Sequence, residues 1–533
     1  MGATVTRIAL IGSGFIADVH LAVLSQMEGV KVTALCDTVK TRAERLAKKH
    51  GIAQVFDSVD ALCASGSIDA VHILVPPALH AGLAKQCLEK GLHVLVEKPM
   101  ALLVRDVDEL ERIARERSLV LGVNHNQATS PAVVRLCDHV AASRLGRLEH
   151  VAIVHNVPLR QLQTGDVSHF MFQTEANILL EQGVHLFSIV HRLLGACVSM
   201  RAVTGEPKLL PNGARFFDDW QMQLVCERGT ASVRMALGRT MPESTVHAIG
   251  TDGSVFADLM RTACWLRRKT RWLEFLDTGR NLAAGGFHLL RRSAVAVLGY
   301  ALALFKLRAP EDPFLRGMAT SLREFHRAVQ QKKTPPNSPA AARAVLEMCY
   351  MAAKAAGAST VPPPAMPPLP APGFARTGEV VVLGGAGFLG KHCVQQLLDM
   401  GKPVTLVVRR PSLLPAMLRD ERLRVFQGDA GDARVLESAF AGADQVLHLA
   451  TVAGDDPARV ETAMAESVAV AAAAARAAGV KRMVYASSTA ALWLGDAKQV
   501  AGDCGTDPVP SQRGAYSRGK FAAEAALVRE RER

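Results

Sequence analysis

The stretch RIALIGSGFIADVH, residues 7–20, determines the fold of the first part of the chain. Its apolar run predicts a buried β-strand, and the glycines after it predict a tight turn into a helix. Gly12 allows the turn, Gly14 lets a phosphate approach the backbone, and Ala17 stands where the helix packs on the strand. The unpaired N–H groups that open such a helix can bind a pyrophosphate. The predicted dinucleotide contacts are Gly12, Gly14, Phe15 and Ile16.

Asp37 ends the next strand-like segment, TALCD, twenty residues after Ala17. A carboxylate at this position accepts hydrogen bonds from the adenosine ribose and repels a 2′-phosphate. The first site is therefore predicted to bind NAD rather than NADP.

The pattern of predicted secondary structure changes twice along the chain after this motif. Strands alternate with helices over residues 1–125, which predicts a parallel sheet, and short strands dominate residues 126–356, which predicts an open-faced, mainly antiparallel sheet. The proline-rich residues 357–376 predict a semi-rigid linker. A second βαβ unit begins with EVVVLGGAGFLGKH, so residues 377–533 form a further domain. The predicted fold class is α/β, with two Rossmann-type doubly wound parallel sheets, the first followed by an α+β domain.

Composition excludes several classes of protein. The ten cysteines contain no CxxC and no Cys/His cluster, so we predict no disulfide framework, no metal site and a cytoplasmic location. The formal charge is +12, but residues 261–308 carry ten Lys/Arg against two acidic residues. Because the excess is local, aromatics are few and no nucleic-acid motif occurs, we predict no nucleic-acid partner. No apolar run is expected to reach the length of a membrane span.

The basic segment 261–308 has its own character. Two tryptophans, a phenylalanine and a 13-residue apolar run (Ser293 to Phe305) lie between arginines and lysines. This composition is typical of helices lying in a membrane interface, here at the inner membrane face. The alternative is a buried helical hairpin that caps the substrate cleft with a solvated basic rim.

Polar residues interrupt the apolar helical pattern LEQGVHLFSIVHRLLG, residues 180–195. Glu181, His185 and Ser188 lie four and three residues apart, which places them on one face of an α-helix. By themselves they fit equally a core histidine satisfied by a neighbouring glutamate.

Taken in order, GSGFIA, VPPALH, VEKP and EQGVH resemble the Gfo/Idh/MocA oxidoreductases over residues 5–356. The resemblance implies that Lys98 orients the reacting oxygen, that His185 transfers the proton, and that Glu181 is the acid beside it, holding the imidazole tautomer. It also implies a homo-oligomer built on the open sheet. Glu181 stands where the family usually has Asp, and Ser188 where it often has another. Further implied cofactor contacts are Pro76, His80 and Glu97, and implied substrate contacts, or simply a polar loop, are Asn124 and Asn126.

The second glycine motif, GGAGFLG, resembles the extended short-chain dehydrogenases of the epimerase/dehydratase group. The resemblance implies that Arg409 faces a 2′-phosphate and Asp429 the adenine, so this site takes NADP or NAD. Ser488, Tyr516 and Lys520 would be its catalytic residues. The remaining implied cofactor contacts are Gly384, Gly387, Phe388, Leu389 and Gly390. Thirteen residues follow Lys520, which predicts an incomplete domain, either part of a longer bifunctional protein or a nucleotide-binding module.

These features predict an NAD(P)-dependent oxidoreductase that transfers hydride to or from a hydroxyl carbon of a sugar or nucleotide-sugar. It would be fused to a sugar epimerase/dehydratase-like domain and act in surface polysaccharide synthesis. The alternative is a non-catalytic dinucleotide-binding or membrane-recruited scaffold.

Overall fold

The chain was analysed as a computed structural model. The structure describes residues 5–159, 161–162, 167, 169–210, 214–305, 312–362, 377–409, 420, 422–452, 457–492, 507, 509–510, 511–532. The chain divides into two compact units, one made mainly of residues up to Pro362 and the other mainly of residues from Pro363 onward. Most of the predicted linker, residues 363–376, lies outside the described part.

The first unit begins with a six-stranded parallel sheet in the order β3-β2-β1-β4-β5-β6. Its strands are β1 Thr6–Ile11, β2 Val30–Cys36, β3 Gln54–Phe56, β4 Ala70–Ile73, β5 His93–Val96 and β6 Leu121–Val123. The helices are α1 Phe15–Leu24, α2 Lys40–His50, α3 Val59–Ala64, α4 His80–Glu89, α5 Val104–Glu116 and α6 Pro131–Ala141. Ile8 and Leu10 in the central strand are fully buried, because helices cover both faces of a parallel sheet. The predicted doubly wound sheet is confirmed.

A seven-stranded mixed sheet follows, in the order β15-β14-β13-β7-β12-β11-β8. Only the β7–β12 pair is parallel among its described pairings. Along β11, Trp220 and Met222 are buried while Gln221 and Gln223 are exposed, so one face is open to solvent as predicted. Its strands are β7 Leu148–Asn156, β8 Cys197–Thr204, β11 Asp219–Cys226, β12 Gly229–Ala236, β13 Glu243–Gly250, β14 Gly253–Asp258 and β15 Ala263–Arg268, with a separate pair, β9 Lys208–Leu209 and β10 Arg215–Phe216.

Four helices complete this unit, namely α7 Val184–Leu194, α8 Glu274–Leu304, α9 Pro313–Gln331 and α10 Pro339–Ala356. Met318, Leu322 and Phe325 of α9 pack in the same apolar cluster as Ile8 and Leu10 of β1. Helix α9 thus packs on the parallel sheet although it follows the mixed sheet in the chain, and both sheets belong to the first compact unit.

The second unit is built on a five-stranded parallel sheet in the order β18-β17-β16-β19-β20. Its strands are β16 Val380–Leu383, β17 Val404–Val408, β18 Leu423–Gln427, β19 Gln445–His448 and β20 Arg482–Tyr485. Its helices are α11 Phe388–Asp399, α12 Ala433–Phe440, α13 Pro457–Ala477 and α14 Ala515–Glu532. The strand order is that of a second Rossmann-type sheet, as predicted.

Candidate functional site

The glycine turn between β1 and α1 has the shape of a phosphate cradle. Gly12 has a φ of +101°, and a Cβ atom there would lie 2.5 Å from the carbonyl oxygen of Leu74. A Cβ on Gly14 would meet nothing within 4 Å, so open space lies above the residue that caps α1. The buried Ser13 Oγ has no protein partner. The turn therefore fits the pyrophosphate of a dinucleotide, and Phe15, 83% exposed, stands beside it.

Asp37 lies just beyond the carboxyl end of β2, next to this turn. Its carboxylate accepts hydrogen bonds from the backbone N–H groups of Ser13 (2.9 Å) and Val39 (2.8 Å). These contacts hold the carboxylate at the edge of the cradle, where an adenosine ribose would lie. The residues present thus fit an NAD-type cofactor.

His80 holds together two loops at the same sheet edge. Its Nδ1 lies 2.7 Å from the carbonyl oxygen of Pro99 and its Nε2 lies 2.8 Å from that of Val75. Burial lowers its pKa more than these two carbonyls raise it. Both ring nitrogens are thus occupied by backbone, while Pro76 is exposed in the loop after β4. Cofactor contact by His80 and Pro76 stays a prediction.

Lys98 and Glu181 meet although they are far apart in the chain. Lys98 follows β5, and its Nζ lies 2.6 Å from Glu181 Oε1 and 3.1 Å from the Glu181 carbonyl oxygen. Their side chains are 14% and 17% exposed. This ion pair joins the carboxyl edge of the parallel sheet to the segment that precedes α7.

The backbone around Glu181 differs from the expected α-helix. Residues Leu179–Gly183 form a π-helical turn, and α7 begins only at Val184. Such turns change which side chains share a face and are frequent at functional sites. Glu181 pairs with Lys98 rather than with His185, whose buried Nδ1 has no protein partner. The expectation that this carboxylate holds the imidazole tautomer is therefore wrong.

His185 is buried near other basic side chains. It is 7% exposed, and its pKa is well below the usual value because of burial, with smaller contributions from Lys98, His155 and His125. Burial also lowers the pKa of His155 to about 4 and that of His125 to about 3. In all three rings the lowered pKa favours the neutral form.

Two serine hydroxyl groups contact these histidines. His155 Nδ1 lies 3.0 Å from Ser244 Oγ. Ser188 is buried and its Oγ donates to the carbonyl oxygen of His185 (2.7 Å), so it acts within its own helix. His155 was missed in the sequence, although its inward position after Val151 and Ile153 in an alternating strand could have indicated it.

Glu97 ends a chain of buried imidazoles. Its Oε1 lies 3.0 Å from His20 Nε2, and the nitrogens of His20 and His72 lie 3.0 Å apart. His72 Nε2 in turn lies 3.1 Å from His326 Nε2. When His20 Nε2 donates to Glu97, its Nδ1 can accept from His72 Nδ1 and His72 Nε2 can accept from His326, so the hydrogen bonds run toward the carboxylate.

The same carboxylate also accepts from Asn124 Nδ2 at 2.5 Å. Burial would raise the pKa of Glu97, but His20, Asn124 and Lys98 together hold it below the usual value. The side-chain oxygens of Asn124 and Asn126 are buried without a protein partner. Glu97 is thus tied into the protein, and the two amide oxygens are the groups still able to bind a ligand. Roles of these residues toward cofactor and substrate stay predictions.

The second unit has a comparable glycine turn. Gly384 has a φ of +82°, and a Cβ there would lie 2.6 Å from Ala450 N. A Cβ on Gly390 would overlap the carbonyl oxygen of Gly384. Gly387 caps α11, Leu389 is exposed, and the side chain of Phe388 lies outside the described part. The turn requires glycine where the motif has it.

Arg409 and Asp429 follow the neighbouring strands β17 and β18. Arg409 Nη1 lies 3.9 Å from Asp429 Oδ2, and the two side chains are 77% and 61% exposed. Such an exposed pair adds little stability. Asp429 Oδ1 also accepts from Gly431 N at 2.9 Å, so this carboxylate is held in place, whereas the exposed Arg409 is only weakly constrained by it.

Lys520 and Tyr516 share one side of α14. Lys520 Nζ lies 5.8 Å from the centre of the Tyr516 ring and 4.7 Å from that of Tyr485, and donates to the Ala486 carbonyl oxygen at 2.7 Å. Burial lowers the pKa of Lys520. Ser488 Oγ accepts from Ala490 N at 3.2 Å and so caps a short turn. The catalytic role of these residues stays a prediction.

A cavity of about 870 Å³ lies elsewhere in the first unit. Its lining includes Arg147, Arg192 and Arg228, and does not include Lys98 or His185. We place the candidate site at the sheet edge, since the unpartnered buried groups and the glycine turn lie there.

Two family models match the chain. The model of the oxidoreductase family with an NAD-binding Rossmann fold (GFO_IDH_MocA) matches residues 6–125. The model of the NAD dependent epimerase/dehydratase family matches residues 380–533. Both units therefore carry domains of families that use NAD.

Curated relatives match the first unit. The chain is 31% identical over 153 residues to 1,5-anhydro-D-fructose reductase of Ensifer adhaerens, covering 29% of this chain and 46% of the relative. It is also 31% identical over 169 residues to dTDP-3,4-didehydro-2,6-dideoxy-alpha-D-glucose 3-reductase of Streptomyces violaceoruber, covering 32% of this chain and 48% of the relative. The chain thus spans about half the length of these two proteins.

A solved oxidoreductase from Agrobacterium radiobacter, in complex with NAD+, L-tartaric acid and magnesium, has a similar fold. The TM-score is 0.54 at 16% identity, covering 66% of this chain and 97% of that one. At this identity the likeness supports the fold alone. The chain is therefore a fusion of a Gfo/Idh/MocA oxidoreductase domain, residues 6–125, with an NAD dependent epimerase/dehydratase family domain, residues 380–533.

Proposed function

We propose that the first unit is an NAD-dependent oxidoreductase that transfers hydride to or from a hydroxyl carbon of a sugar or nucleotide-sugar. The observation that carries the proposal is the Lys98–Glu181 pair at the sheet edge, with His185 four residues after Glu181, buried and with its Nδ1 free of any protein partner. A hydroxyl oxidation needs a group that accepts a proton and a cation that stabilises the oxygen. Lys98 and His185 supply these two functions.

The bound nicotinamide would supply the hydride acceptor or donor, and the protein would supply the remaining chemistry. Glu181 orients the Lys98 ammonium, which donates a hydrogen bond to the reacting oxygen and stabilises its negative charge. We assign to His185, whose buried Nδ1 has no protein partner, the acceptance of the hydroxyl proton in oxidation and its return in reduction. The amide oxygens of Asn124 and Asn126 accept hydrogen bonds from other hydroxyl groups of the substrate.

The substrate class follows from the relatives and from the polar groups of the pocket. The two relatives named above are reductases of a sugar derivative and of a dTDP-linked sugar. We extend this class to the present chain, with Asp37 selecting NAD at the first site and Arg409 favouring NADP at the second.

We also propose that the chain acts in surface polysaccharide synthesis, in the cytoplasm, as a homo-oligomer. A keto-sugar formed at one site is a chemically suitable substrate for an epimerase or dehydratase, which supports a fusion of these two domains. The nine described cysteines are all free, in keeping with a reducing compartment. The open face of the mixed sheet offers a surface for a second copy.

A non-catalytic dinucleotide-binding scaffold is the second candidate. It is favoured by Ser188, which brings no carboxylate to the pocket and bonds within its own helix. In that case Glu181 and Lys98 would serve only to hold the unit together.

The test is a panel of sugars and nucleotide-sugars, offered with NAD or NADP while the absorbance of the reduced nicotinamide is followed. Wild type is compared with Tyr516→Phe, which alters only the second unit. Turnover that survives in Tyr516→Phe assigns the reaction to the first unit. Cofactor binding without turnover on any member of the panel would support the scaffold instead.

A further inference from the structure

The helix α8, Glu274–Leu304, is not needed for the proposed chemistry. It spans 31 residues, and among the described residues it is the one helix long and apolar enough to cross a membrane. Arg291 and Arg292 interrupt this helix, however, so no uninterrupted apolar run within it reaches the length of a span. Only 6% of the most apolar segment of this helix is buried inside the protein. Helix α8 is therefore neither a core helix nor the buried hairpin considered from the sequence.

One side of α8 is held against the edge strand β15. The residues on that side are spaced by four, three and four positions, and are Asn281, Gly285, His288 and Arg292. Asn281 Oδ1 accepts from Arg268 N at 3.2 Å, and His288 Nε2 accepts from Cys264 N at 3.4 Å. Arg292 donates to the Arg261 carbonyl oxygen at 2.9 Å. These contacts fix which side of the helix faces away from the protein.

The opposite side of α8 is a row of exposed apolar side chains. Leu290, Val297 and Leu304 recur every seven residues and are 73%, 68% and 66% exposed. Leu282 and Phe287 add to the same half of the helix, each 70% exposed. An apolar surface of this kind on a single helix is unfavourable in water and marks an interaction site.

Cations flank this row. Arg267 lies in β15, and Lys269 and Arg271 follow it; all three are exposed and have no acidic partner within ion-pair distance among the described residues. Arg291 is exposed on the flank of the helix itself. The segment 261–308 carries ten Lys/Arg against two acidic residues. Two copies of this chain meeting here would bring like charges together, whereas an anionic surface would be attracted.

We propose that the exposed side of α8, with its flanking cations, attaches the protein to an anionic lipid bilayer. The helix lies in the plane of the interface. The uncharged stretch 293–305 holds 13 residues, or roughly 20 Å of helix, which is too short for the ~30 Å hydrocarbon core. With its inner side docked on β15, α8 immerses only its outer side, as interfacial helices do. The inference goes beyond the proposed function and does not depend on it.

The test is sedimentation of the full chain with vesicles of phosphatidylcholine alone, or of phosphatidylcholine mixed with phosphatidylglycerol. Binding is expected on the mixed vesicles and is expected to weaken as salt is raised. The triple variant Leu290→Glu, Val297→Glu and Leu304→Glu should lower the partition coefficient by at least about tenfold. All three positions are solvent-exposed, so NAD binding and circular dichroism should match wild type.

The matched control is Met400→Glu, which places the same charge at a 70% exposed apolar residue of the second unit and should bind like wild type. The charge variant Arg267→Ala, Lys269→Ala and Arg271→Ala should bind more weakly at low salt and show a shallower salt dependence. Equal binding of wild type and the triple glutamate variant would overturn the proposal. The proposal would also be overturned if wild type did not bind vesicles and instead formed a dimer that the triple glutamate variant dissociates. That result would assign the surface to a second copy of the chain.

Discussion

Lowering the pH from 7.5 to 5.5 should destabilise the first unit through its buried histidines. Burial lowers the pKa of His125 to about 3, of His155 to about 4 and of His326 to about 3. An unfolded histidine titrates near about 6.5, so the unfolded chain binds protons that these folded rings do not. The free energy of unfolding is therefore constant above about pH 7 and falls as the pH drops below about 6.5.

The size of the effect follows from the separation of the two pKa values. Each ring should contribute somewhat over about 1 kcal/mol between the two pH values, and the three together roughly 3–4 kcal/mol. His72 and His185, whose pKa values are also lowered by burial, act in the same direction. Carboxylates with lowered pKa values lose their contribution only nearer pH 4, so this window isolates the histidines.

Urea unfolding at both pH values, followed by tryptophan fluorescence, measures the effect, since Trp220 is fully buried in the first unit. His155→Gln should remove roughly a third of the pH dependence that the three rings supply. Val154→Thr, at the neighbouring half-buried position of the same strand, is the control and should keep the whole pH dependence, because it removes no titratable group. A change below about 1 kcal/mol in wild type, or an unchanged pH dependence in His155→Gln, would refute the reasoning.

Three further predictions concern the cofactor cradle and the histidine chain. Gly14→Val should weaken NAD binding, measured by calorimetry, without lowering the midpoint of unfolding, because the added Cβ enters open space. Gly12→Val should weaken NAD binding and also lower the midpoint of unfolding, because the added Cβ meets backbone atoms. Asp37→Ala should reduce the ratio of NAD to NADP affinity in the same titration, and an unchanged ratio in the first unit would contradict the assigned role. His72→Leu removes one hydrogen-bond partner from each of two buried imidazoles, His20 and His326, and should lower the free energy of unfolding by about 1–3 kcal/mol. No loss of stability would show that the row of histidines is not a stabilising network.

Much of the fold could be predicted from local sequence patterns. The glycine turns, the two parallel sheets and the open-faced sheet could be predicted because each depends on short-range periodicity and on the residues that turns require. Family resemblance placed Lys98 and Glu181 in one site but paired Glu181 with His185, and its contact with Lys98, 83 positions away, could not be predicted.

Long-range and irregular features could not be predicted. His72 and His326 are 254 positions apart, and nothing in their local sequence indicates that they share a hydrogen bond. The π-turn at Leu179–Gly183 inserts into an apparently regular helical pattern and so redirects Glu181 from His185 to Lys98. The exposure of α8 could not be predicted either, because a helix of this apolar and basic composition can be buried in a protein or can face a membrane.

The most direct test of the central claim compares wild type with Lys98→Ala and His185→Ala. The rate of NAD reduction is measured with a sugar that wild type oxidises, and NAD binding is measured on the same samples. The account predicts that both variants bind NAD like wild type and lose turnover by at least about a hundredfold, because each lacks a group that acts on the reacting oxygen. Turnover retained in both variants, with NAD bound, would contradict the assignment of this site.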